Sequence, residues 1–339
     1  MNKKAIALLS GGLDSSLAVK MMTDQGIEVL AIHFTSPFCN CTSRKAGCSH
    51  QALKVAQEFG ILIRVIQKGL EYMKVVQNPR HGYGRGMNPC IDCRIYMLKK
   101  VKEMMANSGA SFVITGEVLG QRPMSQHRAA IRKIEKESGL EGRILRPLSA
   151  QHFPPTIPEL AGIVDRQKLL SFSGRSRKPQ IDLARKLGVK DYPCPAGGCL
   201  LTDRVIASRL RDLFTHIPDY DMTDLHLLKI GRHFRLDPGL KIILGRNQVE
   251  NEQIQAMAGP GSVLFKPFDF RGPTCLARGS LDTQTEGMIG EIIARYSQEE
   301  KIRYPIKKQL LGEDESVIFV DKKLDKEAVA RLQIGGCAN

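Results

Sequence analysis

A short loop rich in glycine and serine lies near the start of the sequence. Its residues are Ser10, Gly11, Gly12, Leu13, Asp14, Ser15 and Ser16, and they follow a predicted strand and open a predicted helix. Two glycines let the backbone approach a ligand closely, and the free N–H groups at a helix N-terminus attract phosphate. A tight turn with a capping side chain is the simpler alternative, but a cap needs only one polar residue. The loop also lacks the Gly-Lys-Ser/Thr of kinase-type P-loops and the Gly-x-Gly-x-x-Gly of dinucleotide binders. It therefore predicts a phosphate site of another type.

Two pairs of cysteines could bind a metal or carry sulfur. Cys90 and Cys93 form a Cys-x-x-Cys pair, while Cys194 and Cys199 enclose a turn that contains two glycines. A Cys-x-x-Cys pair brings two thiolates within reach of one metal ion or cluster. A redox pair, or two small buried hydrophobic residues, would show the same spacing. Because both pairs are expected at the edge of the sheet that carries the phosphate loop, we predict an iron–sulfur cluster there.

A further cysteine group follows the second predicted strand. Cys39, Cys41 and Cys48 have a spacing compatible with Zn²⁺ ligation. A structural zinc site, a sulfur-relay or auxiliary-cluster role, and ordinary loop cysteines all remain open. The chain has nine cysteines, and we see no signal peptide in front of them. An odd count in a cytoplasmic chain is not expected to form a disulfide framework.

The charge of the chain favours a polyanionic partner. Fifty Lys and Arg residues against 35 Asp and Glu residues give a net charge of +15, and Trp is absent. Nucleic acid is the leading class of partner for such a protein, while the alternative is a basic surface without one. No stretch is apolar over the length that a membrane-spanning helix needs. The candidate RNA-binding residues near the predicted site are Arg122, Arg128, Arg175, Arg177 and Lys178.

Alternating apolar runs and amphipathic stretches predict an α/β domain with a doubly wound parallel sheet over residues 1–204. We predict strands at 4–9, 28–34, 61–67 and 112–116, helices at 15–24, 50–59, 94–108 and 178–188, and loops over 117–176. The carboxyl ends of such strands form the ligand-binding edge. Residues 205–339 predict a smaller α+β domain, with strands at 241–245, 262–267 and 316–320 and helices at 251–257, 283–298 and 324–332.

Three motifs in order resemble a known enzyme family over about residues 4–203. The loop Ser10–Ser16 matches the Ser-Gly-Gly-x-Asp-Ser pyrophosphate loop of the N-type ATP pyrophosphatases. Residues Thr115–Gln121, followed by Met124-Ser125-Gln126, look like the Gly-Glu-Ser-Leu-Gly-Gln-Val-Ala-Ser-Gln segment of the tRNA 4-thiouridine synthetases. Ile144–Leu148 is similar to the Leu-Arg-Pro-Leu segment that follows in that family. The resemblance implies an adenine nucleotide alpha hydrolase-like domain that binds ATP and Mg²⁺, and we assign His33, Phe34, Gly116 and Gln121 to the ATP site.

The sequence also departs from that family. It begins at the pyrophosphate loop, without the THUMP RNA-binding region, and shows no obvious rhodanese domain. These departures leave the nucleotide target and the sulfur donor open. The cysteines resemble those of the cluster-dependent tRNA thiolases, which implies that Cys90, Cys93 and either Cys194 or Cys199 hold a [4Fe–4S] cluster. Residues 233–251 resemble the RNA-binding NFACT-R domain.

These observations predict a cytoplasmic, ATP-dependent tRNA sulfurtransferase. It would adenylate a uridine carbonyl oxygen at Asp14 and the serine loop, and then replace that oxygen with sulfur at the cysteines. Either a cluster or a persulfide on Cys199 would supply the sulfur, from free sulfide or from a cysteine desulfurase or carrier protein. A homodimer is compatible with the sequence. The alternatives are the same ATP chemistry on a small molecule and a non-catalytic, zinc-stabilised RNA-binding protein.

Overall fold

A computed structural model describes residues 2–39, 48–190, 192, 199–310 and 314–336; for residues 48 and 49 it describes the backbone only. The chain divides into two compact units, Met1–Thr202 and Asp203–Asn339. The boundary expected from the sequence lay two residues later. Each unit has its own sheet and its own hydrophobic core, so each is described separately.

The N-terminal unit is built on a parallel sheet with the order β3-β2-β1-β4-β5, which confirms the predicted doubly wound α/β class. The strands are β1 (Lys4–Leu8), β2 (Glu28–Thr35), β3 (Leu62–Gln67), β4 (Phe112–Thr115) and β5 (Ile144–Leu145). The chain proceeds outward from β1 to β3 and then returns to the other side of β1 as β4. Ligands of open α/β sheets bind outside the carboxyl ends of the strands at such a reversal. The crevice between β1 and β4 is therefore where a ligand site is expected.

Helices cover both faces of this sheet, which explains why β1 and β4 read as continuous apolar runs. The helices are α1 (Leu13–Thr23), α2 (Cys48–Glu58), α3 (Leu70–Gln77), α4 (Cys90–Ser108), α5 (Arg128–Ser138), α6 (Ile157–Leu160) and α7 (Lys178–Lys186). One core lies between the sheet and α1, α2 and α7, and the other lies between the sheet and α4 and α5. No helix in the described ranges has both the length and the apolar composition needed to cross a bilayer.

The prediction of loops over 117–176 is wrong at the short elements β5 and α6 and, over a longer stretch, where α5 forms. Ala130, Ile131 and Ile134 recur on one face of α5 and are buried, while Gly139 ends the helix with a left-handed φ of 65°. Six of the eleven helical residues are charged, and this high polarity hides the short apolar stripe. The amphipathic period, rather than the overall composition, was the signal for this helix.

The C-terminal unit is an antiparallel sheet with the order β11-β10-β8-β9-β7-β6, packed with helices, and this confirms the predicted α+β class. Its strands are β6 (Arg232–Asp237), β7 (Leu240–Leu244), β8 (Ser262–Pro267), β9 (Cys275–Arg278), β10 (Tyr304–Leu310) and β11 (Ser316–Val320). Its helices are α8 (Arg204–His216), α9 (Met222–Leu227), α10 (Gln248–Ala256), α11 (Thr283–Arg295) and α12 (Lys326–Leu332). Phe234, Phe265 and Tyr304 are fully buried at the centre of its core.

Candidate active site

The loop between β1 and α1 is held by its own serines. Ser15 Oγ donates to the Gly12 carbonyl at 2.9 Å, and the Ser10 amide donates to Ser15 Oγ at 3.2 Å. Gly11 has a φ of 74°, and a Cβ atom there would lie 2.8 Å from the Ala52 amide nitrogen on α2. Only glycine fits at that position without a backbone shift. The loop therefore presents the N-terminus of α1, whose N-cap Gly12 has no side chain to occupy the free amides.

Asp14 lies at the junction of this loop with the end of β4. Its Oδ2 accepts a hydrogen bond from Gln121 Nε2 at 3.1 Å, whereas Oδ1 is buried without a partner among the described residues. Burial raises the pKa of Asp14, while Gln121, Arg177 and Arg122 act in the opposite direction. A carboxylate oxygen with unused acceptor capacity next to a helix N-terminus is suited to a magnesium ion or a nucleotide hydroxyl.

Two residues assigned to the ATP site lie on β2. His33 is buried beneath the loop, where its Nδ1 is 2.8 Å from the Leu9 carbonyl and its Nε2 has no described partner. This contact places the proton on Nδ1, and burial lowers the pKa of the imidazole. Phe34 packs against the core on the α4 side of the sheet. His33 thus supports the loop from below, and Phe34 contributes to a core.

Basic side chains surround the acidic residue. Arg177 is close enough to Asp14 to lower its pKa, and the Gly174 amide donates to the Leu119 carbonyl at 2.7 Å, which ties the 173–177 segment to the chain after β4. Arg122 interacts electrostatically with Asp14 and also with Cys90, and desolvation lowers the pKa of its guanidinium. Arg122 therefore carries positive charge in the neighbourhood of both the phosphate loop and the Cys-x-x-Cys pair.

The other predicted RNA-binding residues have different surroundings. Arg128 donates to the His152 carbonyl at 2.8 Å and lies over the Phe153 ring. Arg175 and Lys178 are exposed. Exposure leaves these two available to a polyanion, whereas Arg128 also holds the start of α5.

A buried ion-pair network joins two of the sequence motifs. Glu117 is 3% exposed and accepts from Arg146 Nε at 3.0 Å, with Arg94 Nε 3.3 Å away. Burial raises the pKa of Glu117, but Arg94 and Arg146 outweigh it and hold that pKa below its usual value. Arg146 also pairs with Glu135 on α5. The Gly-Glu and Leu-Arg-Pro-Leu motifs are thus connected through a structural network beneath the site.

Cys90 and Cys93 occupy the first turn of α4. Cys93 Sγ is 3.5 Å from Lys68 Nζ, and burial together with the nearby Cys93 thiol raises the pKa of the Tyr72 hydroxyl. Burial raises the pKa of Cys90, and Cys93 raises it further, while Arg122 and Arg94 act against this change. Lys68 and Tyr72 were not identified from the sequence. The available signal for Lys68 was its place directly after β3, at the ligand edge of the sheet.

Cys199 comes to the same place from a distant part of the chain. The Leu200 amide donates to the Phe38 carbonyl at 2.9 Å, and the Met87 amide donates to the Leu201 carbonyl at 2.8 Å. Burial raises the pKa of Cys199 to about 11, Lys68 lowers it, and Cys93 and Cys39 raise it. Cys39, which the sequence grouped with Cys41 and Cys48, therefore lies near Cys199.

The remaining predicted metal ligands cannot be placed. Cys41 and Cys194, together with the Cys48 side chain, lie outside the described residues. Across the described ranges, no three His, Cys, Asp or Glu side chains stand around one possible metal position. A multi-iron cluster is larger than a single ion and holds its ligands further apart, and soft thiols are its usual donors. The Cys90, Cys93 and Cys199 set therefore fits a cluster by donor type.

A second polar network anchors the segment before the Cys-x-x-Cys pair. Asp92, between the two cysteines, accepts from the Arg80 and His81 amides at 3.2 and 3.1 Å. The His81 ring lies between two carboxylates, with Nδ1 3.0 Å from Asp92 and Nε2 2.9 Å from Glu137. These four hydrogen bonds tie the 79–86 segment and the end of α5 to the first turn of α4.

The C-terminal unit contains a polar groove of about 950 Å³. Its basic lining residues are Arg232, Arg246, Lys266 and Arg271, against Glu252 and Glu299. The Arg232 guanidinium lies 4.5 Å above the Tyr296 ring at one wall of the groove. Arg246 is paired with Glu250, and the stacked Arg232 and Tyr296 side chains beside Lys266 and Arg271 are suited to nucleotides.

Each unit contains a region that matches a known protein family. Residues 1–153 match the family described as thiamine biosynthesis protein (ThiI). The N-terminal unit resembles the ThiI family. Residues 231–331 match the family described as NFACT protein RNA binding domain. Both resemblances inferred from the motifs are confirmed, and the two parts are called the ThiI-like unit and the NFACT-like unit below.

Individual relatives of the ThiI-like unit carry names from tRNA modification. A "tRNA-specific 2-thiouridylase MnmA" of Clostridium acetobutylicum is 31% identical over 153 residues, which cover 40% of this chain and 41% of that protein. A "Probable tRNA sulfurtransferase" of Methanothermobacter thermautotrophicus is 27% identical over 198 residues, which cover 58% of this chain and 43% of that protein. The chain thus spans about two fifths of the length of these relatives.

One similar solved structure is described as a 4-thiouridine synthetase–RNA complex with bound ATP. It is 23% identical, has a TM-score of 0.39, and the match covers 67% of this chain and 52% of that one.

Proposed function

We propose that this chain is an ATP-dependent tRNA sulfurtransferase that adenylates a uridine carbonyl oxygen and replaces that oxygen with sulfur. One observation carries the proposal: the phosphate loop follows β1, with Asp14 against Gly116 at the end of β4, and Lys68, which follows β3 of the same sheet, contacts Cys93 at 3.5 Å. An activating centre and a sulfur-handling centre must meet at one substrate atom. The ThiI-like unit brings residues suited to both tasks to one edge of one sheet.

The loop residues would carry the activation step. The α1 N-terminus and the loop serines would bind the phosphates of ATP, and Arg122 and Arg177 would stabilise the negative charge that develops as pyrophosphate leaves. Magnesium, when bound, would polarise the phosphates, and Asp14 Oδ1 is the oxygen available to it. The uridine oxygen attacks the α-phosphate, the bond to pyrophosphate breaks, and AMP becomes attached to that oxygen.

The cysteines would carry the replacement step. A sulfur nucleophile forms the new carbon–sulfur bond, and AMP departs with the original oxygen. We propose Cys90, Cys93 and Cys199 or Cys194 as ligands of a [4Fe–4S] cluster, which would supply an open iron position for sulfide. In the alternative route Cys199 carries a persulfide, and its outer sulfur is the nucleophile that displaces AMP. Cys90 or Cys93 then attacks Cys199 Sγ, which forms a disulfide and releases the thiolated base.

The NFACT-like unit would supply the contact with tRNA. Its groove combines four basic side chains with the Arg232–Tyr296 stack. The matched family is described as an RNA-binding domain, which supports the same assignment. We propose that this groove binds tRNA mainly through phosphate charge and one stacked base.

The deciding experiment is mass spectrometry of total tRNA nucleosides from a strain lacking the gene and from its parent. We expect one thionucleoside to disappear and to return with the wild-type gene but not with Asp14→Ala. An unchanged profile, in a strain without a second enzyme of this activity, would refute the proposal and favour a small-molecule substrate. Full activity of iron-free protein would exclude the cluster route and retain the persulfide route.

A further inference from the structure

Lys68 is a buried cation without a carboxylate partner. It follows β3, its amide donates to the Thr35 carbonyl at 2.9 Å, and the residue is only 9% exposed. Its ammonium group contacts Cys93 Sγ at 3.5 Å and lies 4.4 Å from the centre of the Tyr72 ring. Within the described ranges, no Asp or Glu forms an ion pair with Lys68.

This arrangement is costly unless an anion completes it. Removing an ammonium group from water is expensive, and buried lysines are ordinarily paired with carboxylates. A thiol is a weak acceptor, and an aromatic face returns only a small part of the lost hydration energy. The position therefore favours a negatively charged ligand other than an Asp or Glu side chain of the described residues.

The surroundings of the ammonium group select the chemistry of that ligand. Cys93 contacts Lys68, and Cys199 lies near enough to respond to its charge. The fully buried ring of Tyr72 forms another wall. A small and weakly hydrated anion suits such a space better than phosphate, and the phosphate groups of ATP already have donors at the loop.

We propose that Lys68 is an anion-binding residue of the thiol site and that its ligand is an anionic sulfur atom held beside Cys93. This inference rests on the proposed sulfurtransferase function and names the residue that positions its sulfur. The sulfur comes either from free hydrosulfide or from the outer sulfur of a persulfide on Cys199, which also lies near Lys68. Both sources place the same negative charge next to the same ammonium group.

The test uses hydroselenide, a heavier analogue of hydrosulfide with a strong anomalous signal. Crystals of the full-length, anaerobically purified protein are soaked in sodium hydroselenide without ATP or tRNA. We expect an anomalous selenium peak within hydrogen-bond distance of Lys68 Nζ in the wild type and in Lys74→Met, an exposed lysine change on α3. The peak should be absent in Lys68→Met and retained in Lys68→Arg, which keeps the charge.

Each outcome has a defined meaning. A peak that persists in Cys199→Ala identifies a free hydrosulfide-type ligand. A peak lost there but kept in Cys93→Ala identifies selenium exchanged into a Cys199 persulfide, where hydroselenide bonds to Cys199 Sγ and hydrosulfide leaves. No peak beside Lys68, or a peak unchanged in Lys68→Met, would overturn the inference. Because the soak needs neither ATP nor tRNA, the selenium site can be present even if no tRNA thionucleoside depends on the protein.

A solution measurement covers the case in which Lys68→Met does not crystallise. We expect at least a tenfold increase in the KM for sulfide in sulfide-dependent turnover, with the KM for ATP within twofold of wild type. Equal increases in both constants would show a merely structural role for Lys68. Lys68→Arg should recover most of the sulfide affinity.

Discussion

Gly116 and Asp14 lie so close that a Cβ atom at position 116 would stand 2.5 Å from the Asp14 carbonyl carbon. Both contacting groups are backbone, so neither can rotate away as a side chain would. The end of β4 thereby supports the first turn of α1 and holds the free amides of the loop in place. The spacing between these two elements determines where a phosphate could bind.

Gly116→Ala should therefore displace the α1 N-terminus. We expect at least a tenfold loss of ATP affinity, equal to about 1.4 kcal/mol, measured by titration calorimetry. Gly69→Ala is the matched control, since Gly69 has an ordinary φ of −86° and no heavy atom within 4 Å of the added carbon. Equal affinity in the two variants would contradict the proposed role of this contact.

Glu117→Gln should destabilise the ThiI-like unit strongly. The substitution leaves Arg94 and Arg146 without their shared carboxylate, and breaking a buried ion pair costs about 3 to 5 kcal/mol. Urea unfolding monitored in that unit measures the loss. The exposed Lys4–Glu28 pair provides the control, and Glu28→Gln should change the unfolding free energy by less than about 0.5 kcal/mol.

Asp92→Asn should loosen the segment that precedes the Cys-x-x-Cys pair. The side chain accepts from two backbone amides and from His81, so the weaker acceptor should cost about 1 to 3 kcal/mol. Hydrogen exchange should accelerate at residues 79–86 while the β1 amides stay protected. Asp182→Asn on α7 removes a pair that is exposed on both sides and should leave exchange unchanged.

His233 should make the NFACT-like unit sensitive to acid. The imidazole is fully buried, and its Nε2 lies 2.9 Å from the Ile230 carbonyl. Burial holds its folded pKa well below 6.5, with Arg209 and Lys241 acting in the same direction. Below pH 6.5 the unfolded chain therefore binds a proton that the folded chain does not, and stability falls by up to about 1.4 kcal/mol per pH unit.

Chemical unfolding at pH 7, 6 and 5 measures this effect. His233→Gln should be less stable than the wild type at pH 7 but should lose less stability on acidification. Parallel pH dependence in the two proteins would show that another group controls the transition.

Replacing Lys266 and Arg271 with Gln should weaken tRNA binding through charge alone. Each phosphate contact contributes about 0.7 to 0.9 to the slope of log affinity against log salt, so the slope should decrease by roughly 1.4 to 1.8. Fluorescence anisotropy at several salt concentrations gives this slope. Arg211→Gln, an exposed change on α8 away from the groove residues, should leave the slope unaltered.

Strands were predicted best from the sequence where both of their faces are buried. The continuous apolar runs of β1 and β4 are typical of strands covered on both faces, and the phosphate loop between β1 and α1 follows from local residue types. In the NFACT-like unit, β6, β9 and β10 were missed. Strand β6 carries Arg232, His233 and Arg235, and each of them forms a hydrogen bond to a residue outside the strand, which a local pattern does not reveal.

The thiol site shows why the rest could not be predicted. The Cys-x-x-Cys spacing is local, but the approach of Lys68 to Cys93 joins the end of β3 to the start of α4. Cys39 was grouped with its neighbours in sequence, and that grouping gave no indication that Cys39 also lies near Cys199. Contacts between distant segments depend on the order of the strands in the sheet, and the spacing of cysteines along the chain gives no information on that order.

The pairing of Met87 with Leu201 also sets an order of events during biosynthesis. The ribosome adds about 5 to 20 residues per second, so the Cys-x-x-Cys segment emerges roughly 5 to 20 seconds before the segment of chain that closes over it. During that interval the thiols of the nascent chain are open to oxidants and to metals. The Cys90 and Cys93 thiols are therefore covered only after the Cys199 segment has been translated and has paired with Met87.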